Sequence, residues 1–260
     1  MLDLPGSCEP PGTKDGKSSI LTLQYLYGLQ KVSALCDMLH MVQQSDHYRG
    51  LERKLTNALV SLCWDDKRSL FADIPSKTSF SQHANFMALP TGIVPEDKVD
   101  RLIKHSLEDN DLVQSSLQFR AYLHMGLRKY NRIDNYTDMI APWRQLAGMG
   151  LTTFPEYATD DNRSETHAWT TFPVLEMLSV ICGIQLPVYG SKNIIIAPNP
   201  GNLEWAEGSL PYPDGPVKVK IVRSAGSINA TVTLPEGITG VFKFKNKSVQ
   251  LHSGQQQISL

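Results

Sequence analysis

Several kinds of chemistry are absent from this 260-residue chain, and each absence narrows what it can be. There is no basic excess: 25 Lys and Arg stand against 26 Asp and Glu. A nucleic-acid partner therefore lacks its usual electrostatic footprint. No apolar run approaches the roughly 20 residues of a membrane span, and the N-terminus lacks the basic-then-apolar pattern of a secretion signal. No membrane role is expected, and localisation stays open. Cysteine is sparse, with Cys8, Cys36, Cys63 and Cys182 scattered along the chain. With no C-x-x-C and no ligand spacing, they read as reduced thiols, three of them on apolar helix faces, not as a disulfide framework or a zinc site. No metal and no cofactor is expected. What remains is a soluble globular balance, 41% hydrophobic and 20% charged, with no sign of wholesale disorder.

The opening Met1-Leu2-Asp3-Leu4-Pro5-Gly6 runs almost at once into a strongly patterned helix. It reads as the middle of a domain, with a truncated N-terminus. Ile20, Leu23, Leu26, Tyr27, Val32, Leu35, Leu39 and Val42 recur at helical spacing, predicting one long helix over residues 17 to 43 with a broad buried face. Ser45-Asp46 offers a cap for a second helix lined by Leu51, Leu55, Leu59, Leu62 and Cys63. Trp64 to Arg68 breaks that pattern, and Ser69 to Asp73 reads as an extended excursion on a rim. Further helices are expected near 82–90, 96–106, 111–129, 133–147 and 166–183, about seven in all. Short loops between them imply antiparallel neighbours. Pro173 should kink the last helix or mark its first turns.

The texture changes after Leu186-Pro187. Short β-type runs follow at Asn193 to Ala197, Leu203 to Glu207, Val217 to Val222, Ile228 to Leu234 and Val241 to Phe244, separated by Pro- and Gly-rich turns. Ile228, Ala230, Val232 and Leu234 alternate with Asn229, Thr231 and Thr233, as in a strand with one wet face. The expected architecture is mostly α with a β domain: a helical domain over 1–188 and a small antiparallel β-sandwich over 189–260.

The chemistry concentrates in Gly150-Leu151-Thr152-Thr153-Phe154-Pro155-Glu156 and Arg163-Ser164-Glu165-Thr166-His167-Ala168-Trp169. A lone Glu is ordinarily a solvated loop carboxylate. Here a stiff β-branched, aromatic and proline run precedes Glu156, while His167 and Trp169 return to the same helix end. A carboxylate, an imidazole and an indole on one rim suit a sugar-hydrolysing pocket, with Trp169 as a flat face for a sugar ring and His167 bonding its hydroxyls. Both could equally be packing residues. Phe80-Ser81-Gln82-His83-Ala84-Asn85 forms a second polar cluster. Ser81 reads as an N-cap, and His83 and Asn85 as rim residues that hold neighbouring loops together or touch substrate. Arg120 and Tyr122 read as structural. Acceptor patterns for glycosylation at Asn135, Asn162, Asn229 and Asn246 carry no weight without a secretion signal.

Ser81 to Asn85, then Trp143, then Gly150 to Glu156, then His167-Ala168-Trp169 resemble, in order, the bacterial α-L-rhamnosidases. Leu203-Glu204-Trp205-Ala206-Glu207-Gly208 with Pro213-Asp214-Gly215-Pro216 extends the likeness into the β region. The resemblance covers about residues 3 to 245. It implies an (α/α)6 barrel of six helical hairpins followed by a C-terminal β-sandwich. It further implies inverting hydrolysis by two carboxylates that releases terminal rhamnose from glycans or plant glycosides. Glu156 then matches the general base and His167 a substrate-binding histidine, with Trp169, His83 and Asn85 as candidate substrate contacts. The family's general acid lies far upstream of the base, and nothing among the first 155 residues resembles its motif. The barrel is therefore expected to be incomplete and the chain inactive alone. Pro155 and Leu4 stand where many relatives carry Trp. An incomplete barrel should expose an apolar helix face for self-association or for an N-terminal half of the barrel. Two alternatives stay open: another (α/α)6 carbohydrate-active enzyme, glycosidase or lyase, and a non-catalytic sugar-binding or interaction module.

Overall fold

A Ser18 hydroxyl that accepts from the Leu21 amide at 3.3 Å starts the first helix, α1 (Ser19–Met38). The structure, a computed structural model, describes residues 17–134, 136–158, 164–185, 191–224 and 226–260. Leu4, Cys8, Asn135, the loop residues Asp160 to Arg163 and the Leu186-Pro187 junction lie outside the described residues. The chain divides into two compact units, Met1–Arg132 and Ile133–Leu260.

In the first unit, α1 buries Ile20, Leu23, Leu26, Leu29 and Cys36. Val32, Leu35, Leu39 and Val42, expected on the same face, are exposed. The apolar residues of α1 form two stripes, and only one is covered within this unit. The helix also ends sooner than its periodicity implies. His40 takes a left-handed φ of 57°, and α2 (Val42–Cys63) begins at once. Ser45 therefore lies inside α2 and does not cap it; its hydroxyl donates to Asp37 Oδ1 at 2.6 Å. Of the stripe expected on α2, Leu59 and Cys63 are buried while Leu62 is exposed.

Of the rim excursion expected over 69–73 only Leu70 and Phe71 form a strand, while Ser69 turns with a left-handed φ of 55°. β1 (Trp64–Asp65) pairs antiparallel with β2 (Leu70–Phe71), and Leu70, Phe71, Ala72 and Asp73 are all buried. Helix α3 (Gln82–Thr91) begins with Ser81 accepting from the Ala84 amide at 3.3 Å, a working N-cap, and stops at Gly92 with φ 75°. Its interior is wholly buried. α4 (Glu96–Glu108) carries Glu96 and Asp97 in its first turn, where the helix dipole favours anions. The helix expected over 111–129 shortens to α5 (Arg120–Lys129). Residues 112–115 instead lie along the start of α3. The Gln82 amide donates to Val113 O at 2.9 Å, and the Ser115 amide to Gln82 Oε1 at 2.9 Å. Backbone groups satisfied by these tertiary partners have no need of a helical ladder. α3 and α5 meet closely at Gly126, where a Cβ would overlap the Leu89 side chain.

The second unit begins with α6 (Tyr136–Met139) and α7 (Ala141–Gly148). One helix was expected here; Pro142, in the first turn of α7, interrupts the run because it cannot donate. The last expected helix also divides, into a 3₁₀ turn Ala168–Thr170, α8 (Phe172–Glu176) with Pro173 in its first turn, and a π-helical segment Met177–Ile181. Two four-stranded sheets follow. One has the order β10-β7-β6-β5, from β5 (Trp205–Leu210), β6 (Val217–Ser224), β7 (Ser227–Leu234) and β10 (Gly254–Ser259). The other has the order β3-β4-β8-β9, from β3 (Ile184–Gln185), β4 (Asn193–Ile196), β8 (Thr239–Phe244) and β9 (Lys247–Leu251). All pairings are antiparallel except β4 with β8. Val219, Ile221, Ile228, Ala230, Val232 and Leu234 of one sheet, and Ile194, Ile196 and Phe242 of the other, form the sandwich core. Strands β3, β9 and β10 were not anticipated.

Candidate functional site

Glu156, His167 and Trp169 all belong to the second unit, and their backbone is tied together. After α7 the chain turns at Gly150, with φ 86°, and continues through Thr153 to Glu156. A second stretch, Ser164 to His167, comes back antiparallel. The Glu156 amide donates to Ser164 O at 2.9 Å, and the His167 amide to Phe154 O at 2.7 Å. The Thr153 hydroxyl donates to Glu165 O at 2.6 Å. Residues eleven apart in sequence thus stand on two facing segments of one loop base.

The base of that loop is pinned to the helices. The Trp143 indole of α7 donates to Thr170 O at 2.9 Å. The Thr170 hydroxyl lies 2.9 Å from both Pro155 O and His167 O. Trp143 packs edge-on against Phe172, with ring centroids 5.1 Å apart. Thr170 is fully buried, so these bonds form where water cannot replace them. Thr170 therefore positions the segment that carries His167 and Trp169. Sequence reasoning missed this role, because its signal is only a threonine beside the indole.

The exposures of the three candidates differ. Glu156 is 8% exposed, while Trp169 is 51% exposed. His167 is half-buried, and its ring meets the Trp169 indole edge-to-face at 5.3 Å. The two rings brace each other, and the half-exposed indole keeps open surface on which a ring could stack.

His83 and Asn85 sit in the first unit, and both are buried. Asn85 is occupied with the backbone: its Oδ1 accepts from the Phe71 amide at 2.8 Å. Its Nδ2 donates to Phe71 O at 3.1 Å and to Ser81 O at 2.8 Å. Both amide protons are spent, and the side chain fastens β2 to the start of α3. His83 packs against Phe119 at 4.7 Å, and Phe119 against Tyr122 at 4.9 Å. Neither His83 ring nitrogen has a hydrogen-bond partner among the described residues. Burial holds its pKa down at about 4. The neutral imidazole is therefore the resident form at neutral pH. Nearby, Asp73 accepts from the Ser79 and Ser81 hydroxyls at 2.6 and 2.5 Å. Burial nevertheless pushes its carboxyl above the usual range.

Among the described residues no three His, Cys, Asp or Glu side chains gather to hold a metal, and no helix is long and apolar enough to cross a membrane. Cys36, Cys63 and Cys182 are free and buried, and burial raises the thiols of Cys63 and Cys182.

Residues 183–259 match the family model described as the bacterial alpha-L-rhamnosidase C-terminal domain. Among curated proteins none matches. The α-L-rhamnosidase of Dictyoglumus thermophilum superposes with a TM-score of 0.76 at 19% identity, over 91% of this chain and 31% of that one. The chain has the α-L-rhamnosidase fold. The native rhamnosidase of Aspergillus terreus agrees at a TM-score of 0.77 and 18% identity, over 90% of this chain and 29% of its own. The Streptomyces avermitilis rhamnosidase, solved with L-rhamnose, agrees at 0.75 and 16%, over 92% and 26%. The match takes in the helices and the β-sandwich together. This chain spans less than a third of the length of those rhamnosidases.

Proposed function

We propose that the chain forms the general-base and sugar-binding part of an inverting α-L-rhamnosidase-like glycoside hydrolase. In this reading Glu156 takes the proton from the attacking water. That water adds to the anomeric carbon opposite the leaving oxygen, the glycosidic bond breaks, and an acid supplied from elsewhere protonates the departing group. His167 bonds sugar hydroxyls, and Trp169 stacks on the ring. Asn85 fastens β2 to the start of α3 within the first unit, and His83 packs there against Phe119.

One observation carries the reading: the pairing of 153–156 with 164–167, which sets the buried Glu156 and the His167–Trp169 pair on one loop base. The helical part, 1–188, is proposed as a portion of an (α/α)6 barrel, and 189–260 as its sandwich domain. The family match beginning at 183 supports that division. Leu35, Met38, Leu39 and Val42 lie exposed, and we assign them to contact with further barrel helices or with a second copy. The chain by itself should not turn over substrate usefully, because loss of a general acid costs about 10²–10⁴ in rate.

The test is L-rhamnose binding and aryl α-L-rhamnoside hydrolysis by the 260-residue chain. Rhamnose should bind, and His167→Ala and Trp169→Ala should each weaken it about tenfold. Absence of binding would defeat the assignment. Turnover that Glu156→Gln abolishes would keep the base but overturn the inactivity.

A further inference from the structure

The outer face of the β5–β6 edge of the sandwich carries a second constellation that the hydrolase reading leaves unused. Along β5 the inward positions are Ala206 and Leu210, both buried, while Trp205 points outward and is 62% exposed. Strand register extends that outward set across the sheet. Trp205 pairs with Val222, Val222 with Asn229, and Asn229 with Ser259. One step along, Glu207 pairs with Lys220, Lys220 with Thr231, and Thr231 with Gln257. The face is thus an indole and a valine on β5 and β6 with the Glu207–Lys220 pair beside them, followed by neutral amides and hydroxyls on β7 and β10.

A shallow open cavity of about 550 Å³ lies at that edge, lined by Glu204, Trp205, Glu207, Lys220, Val222 and Arg223. It falls in the size range of small-ligand sites. Its four charges are two carboxylates and two cations, so neither a polyanion nor a polycation is favoured. Lys220 Nζ lies 3.5 Å from Glu207 Oε2. The Arg223 guanidinium is held on Gly201 O, and the Arg223 amide on Glu204 O at 2.8 Å. The donors and acceptors are thereby braced beside the indole. The apolar part is one indole and one valine, far less than the core of a stable protein interface. An exposed flat aromatic ringed by fixed donors and acceptors suits the C–H face of a sugar ring with hydroxyls at its border.

We propose that this face is a saccharide-binding site separate from the Glu156 loop, taking a neutral oligosaccharide. Trp205 stacks on one ring, and Glu207, Lys220 and Arg223 bond its hydroxyls. It needs no proton transfer and stands independently of the hydrolase reading.

The test is a titration of the full chain with a neutral tri-L-rhamnoside and with a panel of other neutral oligosaccharides. Indole fluorescence and calorimetry would be read on wild type and on Trp205→Ala, Trp205→Phe, Trp169→Ala and Glu156→Gln. Trp205 is exposed, so its replacement should leave the thermal midpoint unchanged. A saturable binding component that weakens about tenfold in Trp205→Ala, partly recovers in Trp205→Phe and is still measured after Trp169→Ala has removed binding at the Glu156 loop supports the site. Binding lost only with Trp169 overturns it, as does no binding to any sugar of the panel. A change of solution mass in Trp205→Ala without sugar binding would make the face a protein contact and overturn it too.

Discussion

The Trp143 indole and the Thr170 carbonyl, 2.9 Å apart in the interior of the second unit, join α7 to the loop base that carries His167 and Trp169. Trp143→Phe keeps most of the ring packing against Phe172 but leaves that buried carbonyl without its indole donor. The expected cost is about 1–3 kcal/mol of stability, read by urea denaturation. Rhamnose affinity should fall with it, because the loop base loosens. An unchanged midpoint together with unchanged affinity would show that the bond positions nothing.

Asn85→Ala should cost more. It orphans both the amide and the carbonyl of Phe71 in the interior, at about 1–3 kcal/mol for each group. Asn85→Asp should fail similarly, since it keeps the acceptor and loses both donors. Denaturation midpoints of the two variants, compared with an exposed control such as Lys104→Ala, check the role.

His83 makes stability depend on pH. Its folded pKa, about 4, lies below the ordinary 6.5 because burial opposes the charged ring. The unfolded chain therefore binds the proton more readily. The contribution is fully present above about pH 6.5 and is lost as pH falls from there through about 4, with a ceiling of about 3 kcal/mol. His83→Leu removes two unpartnered nitrogens. It should hold or raise stability at neutral pH and shrink the loss on acidification, as urea midpoints at about pH 7.5 and about pH 4.5 would reveal. An unaltered acid slope would locate the titration elsewhere.

The exposed stripe of α1 should drive association. An apolar helix surface open to water on this scale favours burial against something. The double substitution Leu35→Gln, Leu39→Gln changes only exposed positions, so stability should move by no more than about 0.5 kcal/mol for each. Sedimentation should register a lower mass or less aggregation than wild type. Equal masses would remove the stripe as a contact.

Local chemistry was readable wherever it sufficed. The period-two alternation of 228–234 yielded β7 because one face is wet and the other buried. Ser81 read correctly as a cap because the bond spans three residues. β9 and β10 escaped notice because a single position in each, Leu251 and Ile258, is buried. Too little apolar pattern marks them, and their edges are satisfied by distant strands. The residues over 111–119 misled in the opposite sense, since Val113 and Ser115 bond to Phe80 and Gln82 and the helix starts only at Arg120.

By its own order of residues the chain determined a helical part, then a β part, and the nearness of Glu156 to His167 and Trp169. These follow from side-chain periodicity and from short-range steric and hydrogen-bonding preferences. Only the tertiary structure decided which stripe of α1 is covered, that Asn85 fastens a strand, and that Trp143 pins Thr170. Each of those depends on groups far apart in sequence finding a dry partner, and no local preference specifies that.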